Sequence, residues 1–557
     1  MCGIAGLAGR GFSKKYLHQS ILSACQKLRH RGPDQQGFYL DEGVVLGIQR
    51  LAIRDRIHGS QPMTYRGYTI VYNGELYNCK EIKEELEKLG HHFETNCDTE
   101  VFLKAFVEFG PNALKKFEGM FGAAIWNQNS KTLHLCRDRW GEKPLYFAWG
   151  NESLAFASEI KSLKAWPHIP WIPEMEDIWL FMKYSYLSCP RTGWKNIYKL
   201  EQGSILTWIQ GTIKIEQYYT PKITEDQHCD EKALFKLLSD SVKRCAEADR
   251  PVGVFLSGGL DSTSIAYFLT QHQHQTPAFS LHWREKDYSE ALYTSAAANR
   301  LKLQHFQVTC DSNFMVENFD FIANLYDEPF GDESMIPTYC LARFAKQKVD
   351  VVLTGDGADE LFHGYERYFY SGPSENYIDI FSATPQKILD SIFIPEINPV
   401  IDQSTKGTIP QDRDRSWIDM RTYLTDNILM KVDRACMGVS LESRAPFLTP
   451  QMSNFALRCP FSRLAQNSEG KQILRLAMKG YLPRTILSRR KMGFGVPLKQ
   501  WFKTSLKNWI SSRILEGSLI QTGWFSKPAL ENLLETHHSR TLFNLAVLES
   551  WVSRKNS

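Results

Sequence analysis

Apolar residues recur along this chain with two different grammars, and the change falls near residue 220. Before it, short β-rich runs bounded by Gly, Asn or Asp predict strands over residues 44–53 (VVLGIQRLAI), 68–77 (YTIVYNGELY), 121–126 and 132–138. Helical stretches lie between them. KEIKEELEKLG (residues 80–90) spaces its apolar positions three and four apart and closes on a glycine. Strands before and after helices predict a layered α+β domain.

The polar run YYTPKITEDQHCDEKA (residues 218–233) precedes the helical pattern ALFKLLSDSVKRCA and marks the boundary, so the expected domains are 1–220 and 230–557. The second half reads strand, glycine-rich turn, helix, as in PVGVFLSGGLDSTSIAYFLT (residues 251–270), with further strands expected at 277–283 and within 349–362. That alternation predicts an α/β parallel sheet with its ligand at the carboxyl ends of the strands. From about Arg413 onward helices dominate. Residues 381–411 carry no sustained period and are expected to form an irregular insertion.

Composition narrows the function classes. Sixty-six basic against 62 acidic residues leave a formal charge of +4 on 557 residues, which argues against general binding to nucleic acid or an anionic membrane. There is no apolar run of 18 residues and no secretory pattern at the start, so the cytoplasm is the expected compartment. Twelve cysteines without a C-x-x-C pair speak against both a paired-cysteine zinc site and a disulfide scaffold. Nothing in the pattern determines the oligomeric state, and a homodimer is one compatible assembly.

SGGLDS (residues 257–262) is the strongest motif. Gly258 and Gly259 permit positive φ and let backbone N–H groups converge on an anion at a helix N-terminus, and no Walker lysine follows them. In LTGDGADELFHGYERY (residues 353–368), Asp356, Asp359 and Glu360 cluster at a strand end, and Asp261 is expected on a neighbouring one. Acidic oxygens so placed suit Mg²⁺ bridging phosphates, with Asp261 and Asp359 as its ligands.

MCGIAG opens the chain. Removal of Met1 would give Cys2 a free α-amine beside its own thiol, a nucleophile with an intrinsic base. Hydrolysis of glutamine also needs a binder for its carboxylate, an acid for its ammonium and donors for the oxyanion. Arg50, Asp98, and the Asn73 side chain with the Gly74 N–H are the candidates.

MCGIAG, LRHRGPDQQG, QRLAI, YNGELYN and CDTEV occur in the order found in class II glutamine amidotransferases, the N-terminal nucleophile glutaminases. SGGLDS after an apolar strand resembles the pyrophosphate loop of the ATP pyrophosphatase group. Together the two halves resemble the glutamine-dependent asparagine synthetase family. The resemblance implies that Cys2 forms a glutamyl thioester, with Arg50, Asn73, Gly74, Glu75 and Asp98 holding glutamine. In the second half it implies that aspartate attacks Mg²⁺-bound ATP to give β-aspartyl-AMP and pyrophosphate. Leu256, Ser257, Gly258, Gly259, Asp261, Ser262, Leu281, Thr354 and Gly355 would then bind ATP, Asp356 would help form the adenylate, and Lys471, in GKQILRLAM, would contact the phosphates. Thr354 stands where serine is commoner. Blocks 326–339, 431–448 and 488–494 also match segments lining the synthetase site. Ammonia must cross unprotonated, so a dry passage between the domains is expected. An amidotransferase acting on another carboxylate, a sugar acid or antibiotic precursor, remains open on these residues alone.

Overall fold

The computed structural model describes residues 1–226, 228–273, 275–370, 382–394, 397 and 413–553. The first half stacks two six-stranded antiparallel sheets. One runs Ile197–Lys199, Tyr146–Gly150, Ser153–Ala157, Cys2–Ala8, Val44–Arg50, Gln35–Asp41. The other runs Thr212–Gln217, Ser204–Ile209, Thr132–Arg137, Gly119–Asn127, Tyr68–Leu76, Met63–Tyr65.

The strand Cys2–Ala8 shows why its residues are so uniformly small and apolar. It is buried at every position and pairs with Val44–Arg50 on one side and Ser153–Ala157 on the other. Successive side chains point to opposite faces. Cys2, Ile4 and Ala8 pack with Val71, Ala124 and Leu135 between the sheets, while Ala5 and Leu7 meet Leu17 and Ile21 of the helix Lys14–Gln26. That helix begins at Ser13, whose Oγ accepts from the Tyr16 N–H at 3.2 Å. On the far face of the second sheet, the helices Cys79–Lys88 and Asp98–Phe109 cover Ile70, Tyr72 and Ile125. The result is helix, sheet, sheet, helix.

The second half is built on a parallel sheet in the order Gln304–Cys310, Pro277–Trp283, Val252–Phe255, Val351–Leu353, Glu442–Arg444. The chain works outward from Val252–Phe255, then returns to place Val351–Leu353 on its other side. This reversal opens a crevice at the strands' carboxyl ends. SGGLDS follows the central strand Val252–Phe255 and TGDGADE follows its neighbour Val351–Leu353, so topology alone brings these motifs together. Helices dominate after Arg413, yet the edge strand Glu442–Arg444 lies among them. Most of 381–411 lies outside the described residues. Within the described part the expected irregularity is replaced by a helix, Gln386–Ile392, which buries Leu389 and Ile392. Three apolar residues in seven are too short a signal for a period. No helix among the described residues is long and apolar enough to cross a membrane.

Candidate active sites

The first site forms where the facing sheets meet. Cys2 lies opposite Arg50 in the strand register, and its backbone N–H donates to Asn73 Oδ1 of the other sheet at 2.8 Å. Asn73 Nδ2 is buried and has no hydrogen-bond partner, a donor available for an oxyanion. Gly74 pairs with Phe121, and a Cβ there would lie 2.2 Å from the Met120 carbonyl oxygen, so only glycine fits. Arg50 is anchored through Nη2 to the carbonyls of Arg54 and Asp55 at 3.0 and 2.9 Å. Asp98 is fixed by the Leu76 N–H at 2.9 Å and the Tyr72 hydroxyl at 3.3 Å.

Met1 is present in the structure. Its α-ammonium pairs with Glu442 of the second half at 2.5 Å. Burial pushes the Cys2 thiol pKa up, against the pull of the Met1 ammonium and Arg50. The carboxyl of Glu75 is shared by Arg54 (3.2 Å) and Arg444 (3.3 Å). Burial, only partly offset by Arg444, raises it to about 7.

The second site occupies the sheet crevice. Leu256, Ser257, Asp261 and Ser262 line one wall of a cavity of about 490 Å³, with Leu281, Thr354, Gly355 and Asp356 around it. Gly258 has φ +66°, and a Cβ there would meet the Tyr293–Thr294 backbone at 2.6 Å. The loop is cross-braced by Ser257 Oγ and Ser262 Oγ at 3.0 Å, and the Gly259 N–H donates to Ser257 Oγ at 3.3 Å. A second cavity of about 400 Å³ adjoins it, with Gly259 and a ring of cations: Lys471, Arg475, Arg489, Arg490 and Lys491. Such a ring suits a polyphosphate.

Lys471 sits at the junction. Its Nζ reaches Asp261 Oδ2 at 2.6 Å and Asp359 Oδ1 at 2.5 Å, and Lys491 reaches Asp359 Oδ2 at 2.6 Å. Burial alone would raise the Asp359 pKa, but these two lysines outweigh it and hold it at about 2. Asp261 Oδ1 is buried without a hydrogen-bond partner. Two carboxylates that already share a cation fit Mg²⁺, which usually takes one or two carboxylates and completes its shell with phosphate oxygens and water. No group of three or more His, Cys, Asp or Glu suited to a metal occurs among the described residues. Glu360 is engaged elsewhere, accepting from the Tyr365 hydroxyl at 3.0 Å. Burial, then Asp359, lifts its pKa to about 8.

The two sites are joined by buried charge. Arg31, fully buried, donates to the Cys2 carbonyl at 3.0 Å, to Glu159 at 2.9 Å and to Asp433 at 2.8 and 3.1 Å. Arg434 reaches Glu159 at 2.7 Å from the other side. Arg444 bridges Glu442 at 2.7 Å and Glu75.

A family model described as asparagine synthase matches residues 233–553, and one described as glutamine amidotransferase domain matches residues 1–219. The chain belongs to the asparagine synthase family. Among its relatives, asparagine synthetase [glutamine-hydrolyzing] 1 of Bacillus subtilis is 30% identical over 99% of this chain and 96% of its own length. Asparagine synthetase [glutamine-hydrolyzing] 3 of the same organism is 29% identical over 97% and 94%, and asparagine synthetase [glutamine-hydrolyzing] 3 of Arabidopsis thaliana 27% over 98% and 87%.

Within this asparagine synthase fold the sequence motifs come together at two sites, while the residues that join the sites carry no such local signal. Arg31 lies inside a quoted glutaminase motif, and Glu442, Arg444 and Lys491 inside quoted synthetase blocks. None had a partner in sequence that would have revealed its role.

Proposed function

We propose that this member of the asparagine synthase family hydrolyses glutamine at Cys2 and uses the ammonia to amidate aspartate through β-aspartyl-AMP in the sheet crevice. One observation carries the reading: a nucleophile site and a phosphate-loop site lie in one chain, coupled by Arg31, which touches the backbone of Cys2 and the synthetase half together.

Removal of Met1 would convert the Cys2 nitrogen, already held by Asn73 Oδ1, into the α-amine that takes the thiol proton. The thiolate attacks the glutamine amide carbon, and Asn73 Nδ2 and the Gly74 N–H receive the oxyanion. Arg50 and Asp98 hold the substrate's carboxylate and ammonium. In the crevice, the backbone of residues 257–259 and the cationic ring hold the triphosphate, and Lys471 stabilises charge on the departing pyrophosphate. Mg²⁺ held by Asp261 and Asp359 would neutralise the phosphates. Burial raises the Asp356 pKa, which matches a group close to an acyl carbon in a poorly solvated site.

The names of the relatives favour aspartate over another carboxylate. The test is pyrophosphate release across a panel of amino and sugar acids with glutamine and ATP. Aspartate should give the largest stimulation, with one asparagine formed per glutamate; no response to aspartate would overturn the reading. We further propose domain limits of 1–220 and 230–557, a cytoplasmic location and no nucleic-acid partner, supported by the balanced charge. For a homodimer no surface argues.

A further inference from the structure

The larger crevice cavity is walled in part by the loop 331–334 and by the start of the helix Ser539–Ser553, and Glu333 and Arg540 both line it. The helix is docked on this wall through Asn544, which donates to the Met182 carbonyl and to Ser185 Oγ at 3.3 and 3.1 Å, while the Ser185 carbonyl accepts the Gly331 N–H at 2.7 Å. Arg540 stands one turn before Asn544 on the same face. Other charges on the wall neutralise one another: Glu290 meets Arg489 at 2.6 Å, Asp332 meets Lys431 at 3.0 Å and Asp419 meets Arg367 at 2.5 Å. Glu333 and Arg540 are different. Neither side chain takes part in a hydrogen bond or ion pair among the described residues, with each other or with any other group. Burial, then Asp332, raises the Glu333 pKa against the pull of Arg540, so a cation placed beside this carboxylate would relieve it. Two opposite charges that face one cavity without meeting leave room for a molecule that carries both.

We propose that Glu333 and Arg540 hold the α-amino-acid head of the acceptor, Glu333 receiving its α-ammonium and Arg540 its α-carboxylate, so that the side-chain carboxylate is the one presented to ATP. The inference rests on the aspartate reading above. Aspartate carries two carboxylates, and only one of them is to be adenylated. A site that bound carboxylates alone could take the molecule either way round. The ammonium sits on the carbon that bears the α-carboxylate, so an acid and a guanidinium facing one space fix which end enters first. The planar guanidinium fork matches a carboxylate in two hydrogen bonds. Lys431 acts electrostatically on both Glu333 and Asp356, which puts the head site and the group assigned to the acyl-adenylate on one continuous wall.

The experiment reads asparagine formed from aspartate, ammonium chloride and ATP in the parent, Glu333→Gln and Arg540→Gln. Succinate, which lacks the ammonium, and β-alanine, which lacks the α-carboxylate, are added as competitors. Each variant should raise the KM for aspartate about tenfold or more, with a smaller change in kcat and a KM for ATP within about threefold of the parent. The preference for aspartate over succinate, read as Ki over KM, should shrink about tenfold or more in Glu333→Gln and hold within about threefold in Arg540→Gln. The preference over β-alanine should do the reverse. An unchanged KM for aspartate overturns the proposal, as do preferences that move alike in both variants. Glutamate release at the other site reports folding. Arg540 is exposed, so Arg540→Gln decides the matter through β-alanine if Glu333→Gln does not fold. A parent that makes no asparagine from aspartate would instead refute the functional reading.

Discussion

Arg31 grips Asp433 across the domain boundary with both terminal guanidinium nitrogens, at 2.8 and 3.1 Å, while its Nε holds the carbonyl of Cys2. Both side chains are buried. The pair places the nucleophile strand against the synthetase helix Met430–Met437. Removing Arg31 leaves the buried Asp433 with the longer Lys143 contact at 3.4 Å, at a cost of up to about 3–5 kcal/mol. Arg31→Ala should therefore lower the melting temperature and reduce glutamine-driven synthesis more than ammonia-driven synthesis. Equal losses in the two assays would show that the contact is structural alone.

Cys2→Ala removes the proposed nucleophile and leaves the crevice untouched. Glutamine-driven synthesis should vanish and synthesis from ammonium chloride should persist near the parent rate. Asn73→Ala should lower glutamate release by about 10²-fold or more through loss of an oxyanion donor. A blocked or uncleaved N-terminus should act like Cys2→Ala.

Lys471 adopts a left-handed backbone, φ 60°, just before the helix Gln472–Ala477, and the glycine before it packs against the His363–Gly364 backbone. A Cβ on Gly470 would lie 1.5 Å from the His363 carbonyl oxygen. Gly470→Ala should displace Lys471 and abolish aspartate-dependent pyrophosphate release while glutamate release continues. An enzyme with normal pyrophosphate release would refute the placement of Lys471.

Asp359 sets part of the acid limit of stability. Its pKa is about 2 in the fold against an ordinary 3.8, because Lys471 and Lys491 outweigh the effect of burial. A carboxylate depressed in this way stabilises the fold above its unfolded pKa and loses that contribution as pH falls through the folded value. Melting temperature should decline between about pH 4 and pH 2. Lys471→Met removes one cation, so the variant should be less stable at neutral pH and show a shallower decline over that window.

Much of both sites could be read before any coordinate, because each is anchored by local sequence: glycines where backbone must approach closely, an asparagine and aspartates at strand and helix ends. Strands at 277–283 and 132–137 fall where alternation placed them. The pairing of Glu75 with Arg444 could not be read, since the two lie 369 positions apart and sequence spacing carries no trace of that contact.

The sequence by itself determined the two grammars, the layered first half, the parallel second half and the chemistry each motif can perform, because periodicity and turn residues act over a few positions. Tertiary structure alone decided how the sites communicate. The three-residue strand Glu442–Arg444 has no apolar signature and forms only because Val351–Leu353 offers it an open edge. Once there, it carries Glu442 to the ammonium of Met1 and Arg444 to Glu75. Buried charges find partners by proximity in three dimensions, and burial then sets their protonation.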